Sequence, residues 1–101
     1  EGIRSLVNSK SLQKVKSLNL YRNCIKDEGA IILAQENQLK KVEDLDLAQN
    51  EIGNDGILAL SRSKNFPELA SIALDNNFSS AEGQEEARTG PNFKKLQSLN
   101  L

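Results

Sequence analysis

The chain has 101 residues, 13 basic and 14 acidic side chains, a formal net charge of −1, and 38% hydrophobic but only 4% aromatic residues. That balance argues against a general nucleic-acid or anionic-membrane binder; no signal-peptide pattern opens the chain, and no apolar run approaches the roughly 18 residues of a membrane-spanning helix. Histidine is absent and Cys24 is the one cysteine, which excludes disulfide frameworks, His-based metal sites and Ser-His or Cys-His catalysis within it.

The elements follow a period of 27 residues. Residues 2 to about 9 read as a helix completing a preceding repeat, because Ile3 and Leu6 take the places that Ala30 and Leu33 hold one period later. Then comes an apolar block, Leu12, Val15, Leu18 and Leu20. It returns as Leu39, Val42, Leu45 and Leu47, as Phe66, Leu69, Ile72 and Leu74, and as Phe93, Leu96, Leu99 and Leu101. Sixteen apolar residues in sixteen places have a chance probability on the order of 10⁻⁷ at the 38% background. The end of each block alternates, which predicts strands over residues 17–21, 44–48, 71–75 and 98–101, with the leucines facing helices and their neighbours facing solvent. Parallel sheets buried on both faces lose such alternation, so the sheet is expected to be one-sided.

Asn23, Asn50 and Asn77 follow the strands, and their carboxamides suit a ladder between stacked loops. Ile25 and Ile52 turn inward. The third repeat breaks this rule, with Ser79 in that column and Phe78 one position early, and predicts a shifted loop. Helices are predicted to begin near Asp27, Asn54 and Ala81, with buried stripes at Ala30, Leu33 and Ala34, then at Ile57 and Leu60. Gly2, Gly29, Gly56 and Gly83 form a column, expected where the first helical turn approaches the sheet too closely for a Cβ. In the third repeat the stripe becomes Gln84, Ala87 and Arg88, followed by Thr89-Gly90-Pro91. That helix is expected to be short, frayed or irregular, and the least stable element.

The unit L-x-x-L-x-L-x-x-N-x-I, followed by a glycine-bearing helical half, resembles the leucine-rich repeat. The helical half resembles the ribonuclease-inhibitor-like subclass, which ribonuclease inhibitors, Ran GTPase-activating proteins, NOD-like receptors and various bacterial effectors carry. The resemblance implies a right-handed α/β solenoid, or horseshoe, with parallel strands on the concave face and helices on the convex face. It covers the whole chain: a partial repeat over 1–11, full repeats over 12–38, 39–65 and 66–92, and a partial repeat over 93–101. No capping segment is recognisable at either end. The chain is therefore expected to be a segment of a longer array, or to associate end to end through uncapped repeats.

Acids gather at the helix starts (Asp27, Glu28, Glu51, Asp55, Glu82, Glu85, Glu86) and bases near helix ends and before strands (Lys10, Lys14, Lys40, Lys41, Lys94, Lys95). Complementing the helix dipole accounts for them, at about 0.3–1 kcal/mol each. The concave columns read Lys16, Glu43, Ala70, Gln97; Ser17, Asp44, Ser71, Ser98; Asn19, Asp46, Ala73, Asn100; Tyr21, Ala48, Asp75; and Arg22, Gln49, Asn76. Asp44, Asp46 and Asp75 form an acidic centre, flanked by Tyr21 and Arg22, residue types frequent at binding hot spots. These five are the candidate partner-binding residues, and a basic segment of another protein is the expected partner. No catalytic residue, cofactor or metal site is expected, since Asp44 and Asp46 lack the spaced oxygens of a calcium loop. Cys24 is expected partly buried against Ile25, and an unpaired cysteine suits a reducing, cytoplasmic setting, which is the host cytoplasm for a bacterial effector. Solenoids present extended binding surfaces, so the expected function is a non-catalytic protein-interaction scaffold. The alternatives are a regulator of an enzyme such as a GTPase, as the Ran GTPase-activating resemblance implies, and an architectural segment of a larger receptor or effector.

Overall fold

The computed structural model describes residues 2–101. Short strands β1 (Ser17–Asn19), β2 (Asp44–Asp46), β3 (Ser71–Ala73) and β4 (Ser98–Asn100) form one parallel sheet in chain order. Helices α1 (Gly2–Val7), α2 (Lys26–Glu36), α3 (Asn54–Ser61) and α4 (Ala81–Arg88) alternate with them, and α5 (Pro91–Lys94) leads into β4. Leu18 pairs with Leu45, Leu45 with Ile72, and Ile72 with Leu99, so each strand advances by one period. This is the expected α/β solenoid.

The strands are three residues long rather than the four or five expected. Two local features stop them. The side-chain oxygens of Asn19 and Asp46 each accept a hydrogen bond from the amide two residues on, Tyr21 and Ala48, both at 3.0 Å. Such a turn competes with extended backbone. Arg22, Gln49 and Asn76 then adopt positive φ, which reverses the chain. Ladder bonds nevertheless continue past the strands, from Leu20 N to Asp46 O and from Leu47 N to Ala73 O.

Apolar residues from the inner strand faces, the loops and the helices fill one continuous core. Leu39, Leu45, Leu47, Ile52, Ile57, Leu60, Phe66, Ile72 and Leu74 are fully buried in its middle. Ile3, Leu6, Leu12 and Leu20 at one end, and Leu96, Leu99 and Leu101 at the other, are only partly covered. Arg4 makes a two-pronged bond to Glu36 at 2.8 and 2.9 Å, tying α1 to α2 and holding the Glu36 carboxyl below the usual carboxylate range.

The asparagine ladder is present. Asn50 Oδ1 accepts from the amides of Asn23 and Ile25, and Asn77 Oδ1 accepts from those of Asn50 and Ile52. Their Nδ2 groups donate back to Leu20 O and Leu47 O. A second ladder on the far side of the repeats had no clear signal in the sequence. Asn65 Nδ2 donates to Ala34 O, and Asn92 Nδ2 donates to Leu60 O.

Several expectations are corrected. At Gly29, Gly56 and Gly83 the space of a Cβ is taken not by the sheet but by the isoleucine four residues earlier, by side chains of the preceding repeat, or by both, while Gly2 meets nothing within 4 Å. A Cβ on Gly56 would lie 2.5 Å from Ile52 Cγ2 and 2.7 Å from Asp27 Oδ1. Helix α4 is short, eight residues against eleven in α2, but it is regular and matches α3 in length, and Ser80 Oγ accepts from the Gly83 amide at its start. Gly83 and Ala87 are small enough to pack it closely, which replaces the missing large apolar stripe. The loop before it is shifted, as expected: Cys24 and Glu51 have positive φ, but Phe78 in their column does not. Cys24 is exposed rather than partly buried, with its Sγ 3.5 Å from Glu51 Oε2. Of the bases, Lys94 lies in the last turn of α5 and Lys40 and Lys41 precede β2 as expected, but the last turns of α2 and α3 hold none. Instead Lys40 Nζ bonds Asn37 O at 2.9 Å and Asn65 Oδ1 at 3.1 Å, and Lys95 Nζ bonds Phe66 O.

Candidate protein-binding face

The face of the sheet turned away from the helices carries no large apolar side chain on its strands. The register places Ser17, Asp44, Ser71 and Ser98 in one row and Asn19, Asp46, Ala73 and Asn100 in another, in the columns read from the sequence. These rows line a shallow depression of about 230 Å³. It is too small and open for a typical enclosed ligand pocket, but its row of hydroxyls, amides and carboxylates suits an extended polar segment.

The candidate residues do not form one compact cluster. Asp44 and Asp46 share the outward face of β2 and line the depression. Asp44 is exposed and accepts a hydrogen bond from Ser71 Oγ at 2.5 Å. Asp46 is half-buried, and one of its oxygens is occupied by the Ala48 amide at 3.0 Å. Asn19 makes the same turn, so Asp46 is both a turn former and the source of a charge that an asparagine would not bring. Asp75 is half-buried in the loop after β3. Tyr21, 44% exposed, and Arg22, exposed with φ 58°, stand in the loop after β1. Tyr21 and Asp75 occupy one column two repeats apart, which at the parallel-strand spacing is about 10 Å. The five residues therefore form a V across three repeats, with Asp44 and Asp46 on β2 at its apex and Tyr21, Arg22 and Asp75 in the loops on either side.

Phe78 was singled out in the sequence only as a break in the pattern. In the structure it is the most exposed large apolar side chain among the described residues, at 70%. A larger apolar cleft of about 1050 Å³ lies elsewhere, between α1, α2 and the loop over residues 23–26. Among the described residues, no three His, Cys, Asp or Glu side chains are grouped so as to hold a metal ion, and no helix is long and apolar enough to cross a membrane.

A family model described as Leucine Rich repeat matches residues 11–34 and 38–61. Comparison with curated proteins and with solved structures gives no match. The two matched stretches hold β1 with most of α2, and β2 with all of α3. The third repeat continues the same parallel sheet in the same register. The chain thus carries leucine-rich repeats over these two stretches, and its third repeat continues their fold.

Proposed function

We propose that the chain is a non-catalytic recognition module that receives a basic segment of a partner protein across its concave face. Tyr21, Arg22, Asp44, Asp46 and Asp75 are its contact residues. Proteins with leucine-rich repeats generally bind other proteins, and solenoids offer extended surfaces for it. The observation that carries the more specific reading is the sheet register, which sets Asp44 and Asp46 side by side on a solvent-facing polar surface. Complementary charge there steers the encounter and selects the partner. The 27-residue period and the glycine-bearing helices favour the ribonuclease-inhibitor-like subclass.

The test is capture of a partner from lysate by the native chain and by the triple variant Asp44→Asn/Asp46→Asn/Asp75→Asn. Asparagine keeps the acceptor oxygens, and Asn19 already shows that it makes the Asp46 turn, so the variant removes charge with little change of fold. Loss of a protein held by the native chain supports the acidic face as the site. An unchanged set of bound proteins sinks it. The partly covered apolar rows at the two ends also favour end-to-end association of the 101-residue chain. Sedimentation velocity showing one monomeric species at every concentration would count against that.

A further inference from the structure

Phe78 stands one residue before the column in which Ile25 and Ile52 are buried, and Ser79 occupies that column instead. The loop is not free to turn the ring inward. Asn77 Nδ2 donates to Leu74 O at 2.8 Å and to Leu47 O at 3.1 Å. The Phe78 amide itself donates to Ile52 O at 2.8 Å, and the Ser80 amide to Asn54 Oδ1 at 2.9 Å. With bonds on both sides of it, the 70% exposed ring is presented on an ordered backbone. Contact with such a residue costs little further loop entropy, and an aromatic ring brings a large apolar area.

The charges that flank Phe78 along the chain, and those in the matching stretch of the preceding repeat, have one sign. Between Lys41 and Arg62, and again between Lys64 and Arg88, every charged residue is acidic. Glu51 holds the place of Phe78 in the neighbouring repeat, and Glu82 lies four residues beyond it; both are exposed. We propose that Phe78 anchors a second contact for a basic partner segment, on the loop rim beside the concave face. An apolar side chain of that segment packs on the ring, and its lysines or arginines meet Glu51 and Glu82. The contact extends the acidic face argued above and rests in part on that reading, but its residues are different ones.

The probe is the peptide acetyl-Lys-Leu-Lys-Leu-Lys-amide, titrated into ¹⁵N-labelled chain, with acetyl-Ser-Leu-Ser-Leu-Ser-amide as its uncharged counterpart. The basic peptide is expected to shift the amides of residues 77–82 and of Glu51 saturably, and the neutral one to bind at least about tenfold more weakly. Phe78→Ser should weaken binding by about the same factor, while Phe78→Leu keeps most of it. Both variants should melt as the native chain does, because the ring lies outside the core. Equal affinity of native chain and Phe78→Ser, or equal response to the two peptides, overturns the proposal. Shifts confined to residues 44–46 overturn it while leaving the concave face in place. Shifts on the rim with β2 silent support it and overturn the concave assignment.

Discussion

Asn50 is fully buried, and its side chain makes four hydrogen bonds, two accepted from the amides of Asn23 and Ile25 and two donated to Leu20 O and Ala48 O. Asn23, one repeat earlier, is exposed, and its side chain donates one bond, to Tyr21 O. The same residue type in the same column therefore carries different weight. Stranding buried backbone groups costs about 1–3 kcal/mol each, so Asn50→Ala is expected to cost about 3 kcal/mol or more. Asn23→Ala should cost under about 1 kcal/mol, the net worth of one exposed bond. Urea unfolding of the two variants measures the difference, and equal losses would contradict the ladder as described. On the far side of the repeats, Lys40 Nζ reaches Asn65 Oδ1 at 3.1 Å, whereas Pro67 holds the place of Lys40 in the next repeat and offers no donor. The buried Oδ1 of Asn92, the counterpart of Asn65, has no hydrogen-bond partner. Pro67→Lys supplies one. A bond from a charged donor is worth about 1.5–3 kcal/mol and exceeds the roughly 0.4–1 kcal/mol lost with the proline restraint. The variant should raise the unfolding midpoint, and a lowered midpoint would show that the ammonium does not reach.

Among the elements, the starts of α3 and α4 are fixed with help from the preceding helix. Asp27 in α2 accepts from the amides of Gly53 at 2.7 Å and Gly56 at 3.0 Å, and so caps α3. Asn54 in α3 accepts from the Ser80 amide and donates to Ser80 Oγ, which in turn caps α4. Ala81 continues this column and has no such group. The starts of α3 and α4 thus depend on the previous repeat. Asp27→Ala should destabilise the chain by about 1 kcal/mol, and Asp27→Asn by clearly less, since it keeps the acceptor. Amide exchange should localise the change to the first turn of α3. Faster exchange confined to α2, which holds residue 27 itself, would contradict capping across repeats. Helix α4 shows how a poor sequence stripe still gives a regular element. A serine cap and two small buried residues seat it against α3, where the sequence offers no run of leucines.

Over the whole molecule, contacts run between neighbouring repeats, as in other quasi-one-dimensional folds. The fully buried side chains concentrate in β2, α3, β3 and the loops between them, while the terminal rows are partly open. Amide protection in the 101-residue chain is therefore expected to peak in β2, α3 and β3 and to fall toward α1 and β4. A uniform protection profile would mean that the chain opens only as one unit, against the nearest-neighbour picture.

The repeat, the fold class and the concave columns were legible in the sequence because each follows from a period. Side chains alternate every two residues in a strand and repeats stack every 27 in this chain, so a position fixes a face. The candidate site was legible to the same extent: its rows and its charges could be read, but not the second duty of Asp46 as a turn former. What only the tertiary structure decided depends on contacts between repeats at particular atoms. Gly56 makes room for Asp27 of the preceding repeat and for Ile52 of its own loop rather than for the sheet, Cys24 lies outside the core, and α4 is held by its neighbour. Phe78 is kept outward by the bonds of the residues on either side of it. A linear pattern records which residue types recur; it does not record which backbone groups in the adjacent repeat they will satisfy.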